Sequence, residues 1–182
     1  MCDSLQSHMQ AATEQRRRLR RAYVDQFLAD WGLHFEALAP STQQCLDEWA
    51  RQARLVEDQP SSNFGTVLIQ LCKAVESELA AGLGNIPALT TLTDGTLGEK
   101  AHVLGKVKLG FQTKQQMESH GIKPGFVVSD LPKFLLCLAR LRSKTGSAHG
   151  NAEIRSASLQ DASRARQLAG QILRGIERNA PQ

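Results

Sequence analysis

An all-α fold is predicted by three observations. Apolar residues recur at spacings of three and four through most of the chain, the period of a helix with one buried face. Ser/Thr residues stand three positions before Glu/Gln at the head of two of these stretches, as capping boxes do. Aromatics make up only 5% of the 182 residues, and the apolar content is mostly Leu, Ala and Val. That balance favours helices packed on helices over stacked sheets. With 41% hydrophobic and 22% charged residues, the chain can bury a core, and its length fits one domain, or one domain and an extension.

Residues 1–15 carry little pattern and are expected to fray. Arg16-Arg17-Arg18-Leu19-Arg20-Arg21 places five arginines in six positions, read either as a solvated helix face or as a phosphate-steering patch. Apolar residues at 23, 24, 27, 28, 31, 35 and 38 predict a helix that Pro40 ends. Ser41 with Gln44 then forms a capping box for a second helix, with Leu46, Trp49, Ala53 and Val56 on its stripe.

The turn-rich residues 59–63 mark the best internal boundary, dividing the chain into an N-terminal helical extension, 1–60, and a main helical domain, 61–182. Asn63, or a serine before it, caps a helix bearing Phe64, Val67, Leu68, Leu71, Val75, Leu79 and Leu83, with a left-handed glycine expected at Gly82–Gly84. Thr96 and Glu99 form a capping box for a helix that buries Leu97, Leu104, Val107 and Phe111 and runs to about Met117. Residues 120–125 are turn chemistry. Ser129 or Asp130 starts the next helix, with Pro132 in its first turn and Leu131, Phe134, Leu135, Leu138 and Leu141 inward. The last begins at Ser158 and buries Leu159, Ala162, Ala169, Ile172 or Leu173, and Ile176. This gives four helices after residue 61 and two before.

The four cysteines, Cys2, Cys45, Cys72 and Cys137, have no metal-ligand spacing. The last three lie in apolar patterns, so a reduced, cytoplasmic chain is expected. A polar N-terminus argues against a signal peptide, and no apolar run is long enough to span a bilayer. The net charge of +4 and pI near 9.0 suit a polyanionic partner.

Chemistry concentrates in residues 138–151. Leu131, Leu135, Leu138 and Arg142 are spaced four, three and four, so Arg142 continues the apolar stripe and needs an acceptor: a carboxylate, helix-end carbonyls or a phosphate. Glycines at 146 and 150 flank His149, allowing the chain to turn back and a substrate backbone to approach. Imidazole shuttles protons near neutral pH and guanidinium neutralises a phosphorane. The bland alternative is a capping histidine and an internally paired arginine.

An Arg, six residues and a His near a helix end, followed by Gly, resembles the signature of the HEPN superfamily (higher eukaryotes and prokaryotes nucleotide-binding domains). The surroundings agree in kind: Leu71 to Leu79 on an earlier helix, Thr96 to Glu99 opening the next, and Ala148-His149-Gly150 before the last. The likeness covers roughly residues 62–178. It implies a HEPN-like four-helix bundle, here with an additional N-terminal helical pair, that often forms a homodimer uniting two motifs in one cleft. In active members the site is a metal-independent endoribonuclease requiring no cofactor. Carried over, His149 is the general acid or base in attack by the ribose 2′-hydroxyl and Arg142 binds the scissile phosphate of single-stranded or loop RNA. Such proteins act in toxin–antitoxin pairs, phage defence and RNA processing, with a protein antitoxin or regulator as partner, while inactive members serve as dimerisation or nucleotide- and partner-binding modules. Ser143 holds the place after Arg142 where active members commonly carry Asn or Asp, and is a poorer orienting group.

Around the motif, Glu76 is a candidate third member of the site, against the reading of a solvated glutamate paired with Lys73. Lys144 and Arg155 are candidate substrate-binding cations, against the reading of surface solubility. The histidines form no ligand spacing with each other or with a cysteine, so no metal site is expected. The glycine pairs fit no dinucleotide or phosphate loop, lacking a preceding strand.

Overall fold

The computed structural model describes residues 2–57, 63–145 and 157–177. The chain is all-α: the described residues hold eight α-helices, two short 3-10 helices and no strand. The α-helices are α1 (Cys2–Trp31), α2 (Pro40–Glu57), α3 (Gly65–Leu83), α4 (Leu97–Lys106), α5 (Phe111–Ser119), α6 (Pro124–Ser129), α7 (Leu131–Lys144) and α8 (Leu159–Ile176). The 3-10 helices, Phe35–Ala37 and Pro87–Leu92, lie between α1 and α2 and between α3 and α4. No helix among the described residues is long and apolar enough to cross a membrane.

Apolar residues cover most of α3, including Leu68, Leu71, Ala74, Val75, Leu79 and Leu83, all fully buried. A helix apolar nearly all round can be accommodated only with neighbours on several sides. Accordingly α2, α7 and α8 all pack on it. α8 runs parallel to α3: the Phe64 N–H donates to the Ala157 carbonyl at 3.1 Å at one end, and Gly82 faces the Ile176 carbonyl at the other. Phe27, Leu46 and Trp49 from α1 and α2 belong to the same cluster as Leu71, Leu138 and Ile172, so the first two helices close the common core.

Helix boundaries follow local chemistry, with several departures from the sequence expectation. α1 includes the residues expected to fray. It ends at Trp31 rather than continuing to Leu38, because Gly32, at φ 61°, terminates it. The Leu33 N–H bonds the Leu28 carbonyl and the Gly32 N–H bonds that of Ala29, at 2.9 and 3.2 Å, the paired bonds of a left-handed glycine cap. No Ser41 capping box forms at α2. Pro40 opens that helix, and the Ala39 N–H donates instead to Glu78 Oε2 on α3 at 2.8 Å. Gly84 has an ordinary right-handed conformation, φ −64°, rather than the expected left-handed one. Its lack of a side chain serves close packing, since a Cβ there would lie 2.4 Å from the Ala80 carbonyl oxygen.

The helix expected from Thr96 to Met117 is two. The Thr96–Glu99 capping box forms, but Val107 is extended and α5 begins afresh at Phe111. Gly105 and Gly110 weaken helix propagation through this joint, and Phe111 is 80% exposed rather than buried. With α6 also separate, six α-helices follow residue 61 where four were expected. At α8, Ser158 and Asp161 form a capping box, while Leu159 is exposed and Ala165 and Leu168 take buried places.

Two glycines on α8 seat aromatic rings against its backbone. A Cβ at Gly170 would lie 2.2 Å from the Trp31 ring, and one at Gly175 would lie 2.1 Å from the Phe126 ring. Gly170→Ala is therefore expected to cost about 1–3 kcal/mol through overpacking. Gly105→Ala, with open space around it, is expected to gain up to about 1 kcal/mol from helix propensity. Urea unfolding checks both: midpoints moving in the same direction would refute the ring-seating account.

Candidate functional site

Leu131, Leu135 and Leu138 are fully buried, so the face of α7 that ends in Arg142 is the face packed on the core. Arg142 has the acceptor that its position demands. Its Nη1 donates to Glu76 Oε1 on α3 at 2.6 Å, joining residues 66 positions apart, with side chains 23% and 22% exposed. The Arg142 Nε is buried without a hydrogen-bond partner. A guanidinium carries five N–H donors, and among the described residues only the bond to Glu76 engages them.

Beyond Arg142, the chain is fastened by Thr145, a residue the sequence reading passed over. Its N–H and hydroxyl both bond the Arg142 carbonyl, at 3.0 and 2.6 Å. This closes α7 at the motif. A threonine hydroxyl just past a helix can satisfy a terminal carbonyl, but no pattern in sequence separates that use from an ordinary surface threonine.

Glu76 sits in a charged neighbourhood. Lys100 of α4 is almost wholly buried, and its ammonium donates to the Leu92 carbonyl and, at 2.9 Å, to that of Asp94. Burial lowers the Lys100 pKa, against the opposing pull of Glu76, Asp94 and Glu99. Burial pushes the Cys72 thiol up to about 12, Arg142 pulling it down and Glu76 adding to the rise. Cys45 is raised as well, chiefly by burial, with a hydrogen bond from Ser77 and the charge of Lys73 opposing. The expectation of a Lys73–Glu76 pair gives way to Arg142–Glu76, because α7 brings a guanidinium to the inner side of Glu76.

Ser143 is exposed. His149 and Arg155 lie outside the described residues, as does the side chain of Lys144. Of the candidate residues, the structure therefore brings together Arg142 and Glu76. His34 is exposed, its backbone N–H bonded to Glu177 Oε1 at 2.9 Å. Among the described residues no group of three or more His, Cys, Asp or Glu side chains could hold a metal ion. No family model, curated protein or solved structure matches this chain.

Breaking a fully buried ion pair by removing one partner costs about 3–5 kcal/mol, and exposed pairs contribute about 0–1. For this partly exposed pair, Glu76→Ala is expected to cost about 1–3 kcal/mol. A double-mutant cycle with Arg142→Ala should return a coupling of at least about 0.5 kcal/mol, whereas additive losses would mean that the contact contributes nothing. Cys72, held as a thiol far above neutral pH, should resist alkylation in the native protein at mildly alkaline pH and react once urea unfolds it. Rapid native labelling at Cys72, located by mass spectrometry, would contradict its burial.

Proposed function

We propose that this chain is a HEPN-like, metal-independent endoribonuclease that cleaves single-stranded or loop RNA, with Arg142 and His149 as its working pair. The observation that carries the reading is Arg142 itself. Its guanidinium is held at the end of a core-packed helix by a bond to Glu76, its only hydrogen-bond partner among the described residues, and His149 follows seven residues later. Seven residues reach at most about 25 Å when extended, so the glycine-flanked histidine is within range of the same anion.

In this mechanism His149 removes the proton from the ribose 2′-hydroxyl, or returns one to the departing 5′-oxygen. The 2′-oxygen attacks phosphorus and the P–O5′ bond breaks, leaving a 2′,3′-cyclic phosphate and a 5′-hydroxyl. Arg142 stabilises the charge that accumulates on the phosphorane. Glu76 fixes the guanidinium plane, Ser143 is an orienting group, and Lys144 and Arg155 add positive potential along the strand. As the family resemblance implies, the working unit is a homodimer with two motifs in one cleft, acting in the cytoplasm. A toxin–antitoxin or phage-defence setting, with a regulatory protein partner, follows from the same resemblance.

A second reading has its own support. The Arg142–Glu76 pair occupies the guanidinium internally, as expected of a non-catalytic HEPN-like module for dimerisation or for nucleotide or partner binding.

Incubating the protein with unstructured and hairpin RNA in EDTA separates the two. Cleavage is expected to yield cyclic phosphate ends. Substituting a general acid–base residue costs on the order of 10²–10⁴ in rate, and losing one charge-stabilising donor costs on the order of 10²–10³; losses of that order are expected for His149→Ala and Arg142→Ala. Activity that survives both substitutions would overturn this mechanism, and a folded wild-type protein with none would favour the module.

A further inference from the structure

We propose that residues 11–22 of α1 form a docking arm for the phosphodiester backbone of a nucleic acid. Among the described side chains of α1 the first buried one is Val24, and every described side chain from Ala11 to Ala22 is exposed. This part of the helix therefore does little for the core. Five arginines, at 16, 17, 18, 20 and 21, stand here against a single acid, Glu14. Glu14 lies 3.5 Å from Arg18, which is itself 80% exposed.

At about 100° per residue these five positions sweep roughly 200° of the helix circumference. The basic band is thus broad rather than a stripe. Arg54, exposed in the last turn of α2, stands at the same end of the molecule. The two helices run antiparallel there: Phe27 meets the Trp49 ring at 5.2 Å, while Ala22 and Ala53 line a common cleft.

A run of five arginine positions, with Arg18 and Arg21 exposed, in a chain of net charge +4 complements a continuous polyanion. A lipid surface fits less well, because the arginines take more than half of the circumference and leave only a narrow apolar face around Leu19 to enter a bilayer. The choice of RNA as the polymer rests on the function proposed above; the arm itself reads only backbone charge.

The test is binding of labelled 2′-O-methyl RNA and single-stranded DNA, neither of which offers a 2′-hydroxyl for cleavage, over a range of salt. The full chain is compared with a variant carrying Arg17→Gln, Arg18→Gln, Arg20→Gln and Arg21→Gln, and with a second carrying Lys at the same four positions. Each lost contact should reduce the steepness of log K against log salt by about 0.7, or about 2.8 for all four. If the curves converge near about 1 M, the Gln variant loses several hundred-fold in affinity near about 0.1 M salt. The Lys variant should keep the wild-type slope. Circular dichroism confirms that each variant folds.

An unchanged slope in the Gln variant, or a Lys variant as defective as the Gln variant, would overturn the arm. So would wild-type binding to anionic phospholipid vesicles but not to either oligonucleotide. Binding without any cleavage of ordinary RNA would leave the arm standing and remove the nuclease reading alone.

Discussion

Solvation of α3 is the constraint on which the structure depends. A nineteen-residue helix bearing leucine, valine or alanine on most of its circumference cannot face water, and burying a Leu or Val side chain is worth about 1.5–3 kcal/mol. Helices α2, α7 and α8 supply the surrounding apolar surface, and α1 lies over α2 and α8. The first two helices are needed for this enclosure, whatever further purpose the arginines of α1 serve.

Placing polar groups on such a helix makes each of them consequential. Glu78 is fully buried and accepts the N–H that opens α2, so a carboxylate on one helix caps the positive end of another. Two residues earlier, on nearly the opposite face, Glu76 anchors the guanidinium of Arg142. The two acids stitch α3 to α2 and to α7, and they orient the surrounding helices where hydrophobic burial alone is indifferent to register. The Arg142–Glu76 contact is thus an extension of the core's polar stitching.

Much of the helical fold was legible in sequence where the signal was local. Thr96 with Glu99 announces α4, and the spacing from Phe64 to Leu83 announces α3. Boundaries set by tertiary contacts were not legible. Nothing near Ala39 reveals that its N–H is satisfied by Glu78, and Gly32 outweighs an apolar stripe that continues in sequence to Leu38. The stripe through Phe111 misleads because Gly105 and Gly110 interrupt a helix whose apolar spacing survives by chance. At the site, the spacing that placed Arg142 on the packed face anticipated a buried partner without identifying it. Glu76 was legible as a candidate member of the site, but its pairing with Arg142 rather than Lys73 is decided by how α7 crosses α3.

The parallel pairing of α3 with α8 has a kinetic consequence. Phe64 and Ala157 are neighbours in space yet far apart in the chain, so their contact closes a long loop and belongs to the slow, non-local part of assembly. As the ribosome releases the polypeptide, α1, α2 and α3 can associate while the side of α3 destined for Ala169, Ile172 and Leu173 is still bare. Until α8 emerges and docks, the nascent molecule carries an open greasy furrow, and that interval is when it is most vulnerable to aggregation.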